Sequence, residues 1–166
     1  MAARADAALG DGGTRAMIKY RILHEHNLIA ICNWGKTSLE EIVQLRKDLQ
    51  SDPSFSPSYD AIVDSSQSES AYTRDEIEKV VFTRMIDPRH SVGKVAIIAS
   101  SDLLFGISRM HETVSEIYEK HRDSSVFRNS ASALQWLGRE GLDIGSIFEE
   151  IKREEPSEDA SHDTSL

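Results

Sequence analysis

Serine and aspartate recur together where two short apolar runs of this chain end, as Asp64-Ser65-Ser66 and as Ser100-Ser101-Asp102. In a parallel α/β sheet the strand C-termini and the helix N-termini that follow them gather at one edge. These six residues and Thr73, at the start of a predicted helix, therefore form a candidate rim of hydroxyls and amides for an anion or a partner. Ordinary helix capping uses the same residue types and accounts for most of that rim. Arg109 adds a cation, one helical turn after Phe105 and nearly one turn before Glu112, so that cation–π and ion-pair contacts are both within reach. The other chemistry-bearing strings are incomplete. His24-Glu25-His26 puts both imidazoles on one side of an extended backbone, but no Cys or His elsewhere is spaced to complete a tetrahedral site. His111-Glu112 lacks the second histidine of a helical zinc string, and Gly106-Ile107-Ser108 lacks the second glycine of a serine elbow. Gly10-Asp11-Gly12-Gly13 precedes no strand–helix turn that could cradle phosphate. The residues thus predict no catalytic group, no metal and no cofactor, and the chain is not expected to be an enzyme.

The background against which these residues sit is acidic. The net charge is −9, of which the stretch Glu149–Leu166 carries −5 through seven acids and two bases. Such a balance repels phosphate backbones, so nucleic acid is not an expected partner. The single Cys32 lies in an apolar run and reads as a buried thiol suited to a reducing compartment. No apolar stretch approaches the roughly 20 residues of a bilayer span, and the first 16 residues hold no signal-like apolar segment. The cytoplasm is the expected location.

A length of 166 residues suits one domain. Residues 1–16 lack a hydrophobic period and read as a disordered arm; 154–166 read as a disordered acidic tail. Between them, Ile18, Tyr20 and Ile22 alternate with Lys19 and Arg21, as in a strand with one wet face. A turn at His24–Asn27 and a second run, Leu28–Trp34, complete a hairpin. Thr37-Ser38-Leu39-Glu40-Glu41 holds two overlapping capping boxes that start a helix to about Leu49. Strand Tyr59–Asp64, polar loop Ser65–Ala71 and a helix capped at Thr73 follow, then the apolar strand Val95–Ala99. A long helix over 102–121 places Leu103, Ile107, Met110, Val114 and Ile117 on one stripe, with Glu112, Glu116, Glu119 and Lys120 away from it. A short strand Ser125–Arg128 and a helix from Ser130 to the Gly138–Gly141 break come last. The order predicts an α/β fold: a mixed β-sheet of about five strands flanked by about four helices, spanning 17–153. It ends in an added amphipathic helix over 143–153, whose Ile144, Ile147, Phe148 and Ile151 line one face that must rest on the body or on another subunit, and of the two a homodimer contact is the expected one.

Three strings carry a resemblance: Tyr59-Asp60-Ala61-Ile62-Val63-Asp64; Phe105-Gly106-Ile107-Ser108-Arg109-Met110; and Val126-Phe127-Arg128 followed by Ala133-Leu134-Gln135-Trp136-Leu137. With this element order, the chain resembles bacterial SpoIIAA-like proteins over roughly 18–137. They belong to a wider group that includes STAS (anti-sigma-factor-antagonist) domains and is often likened to lipid-carrier folds. The resemblance implies a mixed sheet flanked by helices and a role in binding or regulation. The regulatory branch carries an Asp-Ser-Ser-Gly string with a phosphorylatable hydroxyl at the start of its second helix. This chain has Tyr72-Thr73-Arg74-Asp75 there, where Thr73 is the nearest equivalent. Free amides favour phosphate at a helix start, but Asp75 and Glu76 oppose it, and Thr73 reads as a plain N-cap. The expected function is a non-enzymatic regulatory or protein-interaction domain with a protein partner. The alternative is a carrier for a small apolar or lipid-like ligand, and a hydrolase is a distant third. A carrier needs a cavity of a few hundred cubic ångströms between sheet and helices, whereas an interaction domain is solid and bears an exposed apolar patch.

Overall fold

The structure is a computed structural model that describes residues 4–6, 16–85, 93–118 and 123–154; of 4–6, 81–85 and 118 it describes the backbone alone. Six strands form one sheet in chain order: β1 (Arg4–Asp6), β2 (Met17–Leu23), β3 (Leu28–Gly35), β4 (Asp60–Ser68), β5 (Val95–Ile98) and β6 (Ser124–Phe127). The first two pairings, β1 with β2 and β2 with β3, are antiparallel, and the remaining three are parallel. The sheet is thus the predicted mixed one, with a further short strand: β1 lies within the stretch read as a disordered arm.

The hairpin turns through one 3-10 turn, His24–His26, and Asn27 closes it in the left-handed conformation at φ 48°, which asparagine tolerates better than most residues. Helix α1 (Leu39–Ser51) then joins β3 to β4, α2 (Arg74–Met85) joins β4 to β5, and α3 (Asp102–Tyr118) joins β5 to β6. All three crossovers step the same way across the sheet, and since such crossovers are right-handed they lay all three helices on one face. On the opposite face lie α4 (Ser130–Leu137) and α5 (Ile144–Arg153). Strand alternation divides the apolar residues between the two layers. Leu28, Ala30, Cys32, Ile62 and Ala96 pack with α4 and α5; Ile18, Tyr20, Ile29, Ala61 and Val95 face α1.

Four expectations are corrected by this arrangement. Ser65–Ser68 are strand rather than loop: β3 runs on to Gly35 and offers them partners, and the register slips between Cys32 and Trp34 so that one extra residue of β4 is absorbed as a bulge. The face of β2 read as wet is roofed by α5, leaving Lys19 only 4% exposed. Its ammonium donates to the carbonyls of Ile151 and Glu154 at the helix end, where the dipole favours a cation. Arg21 pairs with Glu150 and Glu154 of the same helix. Ile144, Ile147, Phe148 and Ile151 are consequently no dimer surface. They join the chain's own core, three of them fully buried and Ile147 packed against it. At roughly 1.5–3 kcal/mol per buried side chain, the monomer itself holds this helix.

The fourth correction concerns α3. Leu103 and Ile117, placed inward by the apolar stripe, are 66% and 55% exposed. The middle of the stripe faces inward as expected, with Val114 buried and Ile107 and Met110 packed against it, and Leu104, Ser108, Glu112 and Ser115 are buried beside it. Glu112, expected outside, bonds Arg109 at 2.7 Å and the Ser125 hydroxyl at 3.4 Å. Glu119 and Lys120 lie outside the described residues, as do 155–166 of the acidic tail.

Candidate functional site

The two faces of the sheet differ in how well they are filled. Small residues, Ala30, Cys32 and Ala96, let α4 and α5 settle directly on the sheet. On the other face three helices must roof a twisted surface together, and α1 and α2 barely touch. Between them is a cavity of about 250 Å³. Its floor is the alternate residues Ile29, Ile31, Ala61, Val63, Val95 and Ile97. Leu39, Ile42, Leu45 and Leu49 of α1 form one wall; Ile77 and Val80 of α2 and Leu104 and Ile107 of α3 form the other.

Polar groups concentrate where the parallel strands end. Asn33, Ser65, Ser68, Ser70, Tyr72 and Ser108 all reach the lining. Behind them Thr37 organises a hydroxyl network. Its Oγ1 lies 3.0 Å from Asn33 Oδ1, 3.1 Å from the Ser70 hydroxyl and 2.9 Å from that of Tyr72. Tyr72 donates to the Thr37 carbonyl at 2.7 Å, and the Thr37 amide donates to Ser70 Oγ at 2.8 Å. Of the two overlapping capping boxes only Ser38 with Glu41 is used; Thr37 turns inward instead. His111 of α3 and Arg46 of α1 also line the space. The Arg46 Nη1 donates to the Val80 carbonyl of α2 at 3.4 Å and so crosses the gap between the two helices.

The rim read from the sequence is assembled in part. Ser100, Ser101 and Asp102 follow the end of β5, and Ser100 reaches Ser66 in the last part of β4. The Ser100 hydroxyl donates to the Ser66 carbonyl at 3.2 Å, the Ser101 Oγ accepts the Leu104 amide at 3.2 Å, and Asp102 pairs with Arg128 at 2.9 Å. Asp64 points to the opposite face, where it pairs with Lys152 at 3.3 Å and accepts from the Ser66 amide and hydroxyl. Ser65 faces the cavity. Thr73 caps α2 by exchanging bonds with Glu76, and its amide and then its hydroxyl hold the Glu76 carboxyl below the usual range. Arg109 pairs with Glu112 as expected, but the guanidinium over the Phe105 ring, 4.1 Å from its centroid, is that of Arg128. His24 is engaged by the Tyr59 hydroxyl at 2.6 Å.

Cys32 lies beneath α5 on the filled face, and burial, reinforced by Asp64, pushes its thiol up to about 12, far from a nucleophile's range. No helix among the described residues is long and apolar enough to cross a membrane. The sequence reading missed Arg46, Asn33, Ser70, Tyr72 and Ser108 as site residues. The one signal that could have found them is strand order, since it fixes which alternate residues share the face under α1–α3.

No protein-family model matches the chain, and no curated protein matches it. Among solved structures the chain is similar to an uncharacterized protein of the DUF3478 family with a SpoIIAA-like fold, from Shewanella loihica PV-4. The two share 18% identity over 82% of this chain and 93% of that one, with a TM-score of 0.46.

Proposed function

We propose that the protein binds a small, largely apolar molecule between its sheet and α1–α3, without acting on it chemically. One observation carries this reading: a cavity of about 250 Å³ on one face of a sheet whose other face is filled. An engineered apolar cavity of about 150 Å³ admits benzene, so by the same packing this one accommodates about ten heavy atoms. The hydroxyl network at one end supplies the few polar contacts that orient a ligand in such sites. Isothermal titration with 1-octanol and with octanoate tests it. One-to-one binding of at least one of them, blocked by Ala61→Ile in the cavity floor, is expected. If no alkyl alcohol or carboxylate between roughly six and ten carbons binds, the reading is wrong.

A second reading, regulation through a protein partner, is favoured by Leu103 and Ile117, two large apolar side chains exposed on α3. Replacing both by serine would then abolish association with that partner while leaving ligand binding unchanged. Loss of neither would dismiss it.

A further inference from the structure

We infer that the molecule seated in the cavity carries a neutral carbonyl oxygen, as a ketone, ester or amide does, held by the hydroxyls of Ser65 and Ser108. This rests on the ligand-binding reading above and adds the chemistry of the head. Asn33 and Ser65 follow Ile31 and Val63 by two residues on β3 and β4, so strand alternation sets them on the cavity floor where the parallel strands end. Ser108 lines the same cavity from α3, one turn after Leu104. Each of the two serines is only 9% exposed, yet neither hydroxyl has a hydrogen-bond partner among the described residues. A buried hydroxyl left unpaired is unfavourable, and here both belong to the wall of a space that a ligand can fill. The neighbouring network is closed on itself. The Thr37 hydroxyl donates to Asn33 Oδ1, that of Tyr72 to the Thr37 carbonyl, and that of Ser70 to the carbonyls of Gly35 and Thr37. What is left over along the lining is an excess of donors: the two serine hydroxyls and the Asn33 amide, whose own oxygen is taken by Thr37. A carbonyl oxygen accepts two such donors and brings no proton of its own, whereas an alcohol or an ammonium adds protons that need acceptors. Asn33, Ser65 and Ser108 are all neutral, and a carboxylate among them would give up its hydration without a paired charge. The rest of the molecule then extends over Ile29, Ala61 and Val95, where the floor is apolar.

The test is isothermal titration of the full chain, at neutral pH, with acetophenone, cumene and benzoate. These are of one size, about nine heavy atoms, and differ at the head: a carbonyl, a hydrocarbon branch and a carboxylate. Acetophenone is expected to bind the wild type more tightly than benzoate does. Ser65→Ala and Ser108→Ala should each weaken acetophenone about three- to tenfold, as the loss of one hydrogen bond does, while cumene stays within about twofold or tightens. Neither hydroxyl has a partner to lose among the described residues, so melting curves of both variants should lie within a few degrees of wild type, which shows that the fold is intact. Acetophenone affinity that survives either substitution, an equal loss for cumene, or benzoate binding more tightly than acetophenone overturns the head assignment and leaves the cavity reading standing. Binding of neither acetophenone nor cumene also overturns the head assignment, and if 1-octanol and octanoate fail as well the cavity reading falls with it.

Discussion

A substitution that enlarges a buried side chain ordinarily destabilises a protein by about 1–3 kcal/mol, because a close-packed core has no room for it. Ala61→Ile should do the opposite here. Ala61 is 6% exposed near the start of β4, with its methyl group on the floor of the 250 Å³ cavity. Isoleucine adds three carbons, and at about 0.8 kcal/mol per buried methylene the gross gain is about 2.4 kcal/mol. Restricting the new side chain costs about 1 kcal/mol, and a β-branched residue suits a strand. A net stabilisation of about 1.5 kcal/mol corresponds to a rise in Tm of about 5 °C for a domain of this size. Differential scanning calorimetry of the unliganded protein measures it. A fall in Tm of several degrees would mean that the space is closed in solution, and would remove the basis for a ligand there.

Phe148→Asp should unfold the protein rather than yield a folded monomer, since truncating a buried Phe alone costs about 3–5 kcal/mol and the ring lies in the domain's own core; loss of far-UV circular dichroism is the readout. Arg139 pairs with Asp60 at 2.7 Å and donates to the carbonyls of His26, Asn27 and Leu137. Arg139→Ala should therefore cost about 3 kcal/mol in urea unfolding, because it strands a half-buried carboxylate. Cys32, with its thiol raised to about 12, should resist Ellman's reagent at pH 8 in the native state and react at once in urea. The Ser146 hydroxyl, and then its amide, hold the Asp143 carboxyl at the start of α5 below the ordinary carboxylate range. That cap stabilises the fold above the unfolded carboxylate pKa and is lost as pH falls through the lowered folded value, so Asp143→Asn should flatten the acid limb of stability against pH.

The hairpin, the start of α1 and the crossover order were legible because their signals are local: alternation in Ile18–Ile22, a capping box at Ser38, strands and helices taking turns. What escaped the sequence depends on contacts made far along the chain. Lys19 looks like a wet residue until α5 arrives 132 positions later. The apolar stripe of α3 placed Ile107, Met110 and Val114 inward correctly, but its ends Leu103 and Ile117 are exposed, as single apolar residues often are, and the polar Ser108, Glu112 and Ser115 are buried beside it. Thr37 and Ser38 offer the same chemistry in sequence, and only the approach of Ser70 and Tyr72 decides which of them caps and which is buried. A void has no sequence signature at all, since it arises from how α1 and α2, each separately legible, barely meet over the sheet.

The roofing of β2 and β3 by α5 bears on how the protein is made. Synthesis proceeds from the N-terminus, so the hairpin leaves the ribosome long before the helix that covers Lys19, Cys32 and Trp34. During that interval one face of the sheet is exposed on the nascent chain, while the cavity side can already be closed by α1–α3, whose crossovers are complete earlier. The cavity is thus enclosed first and the domain is sealed last. A chain stalled before Ile144 would present an apolar sheet face and a titratable thiol to chaperones, and the reactivity of Cys32 on such stalled chains reports the moment at which folding finishes.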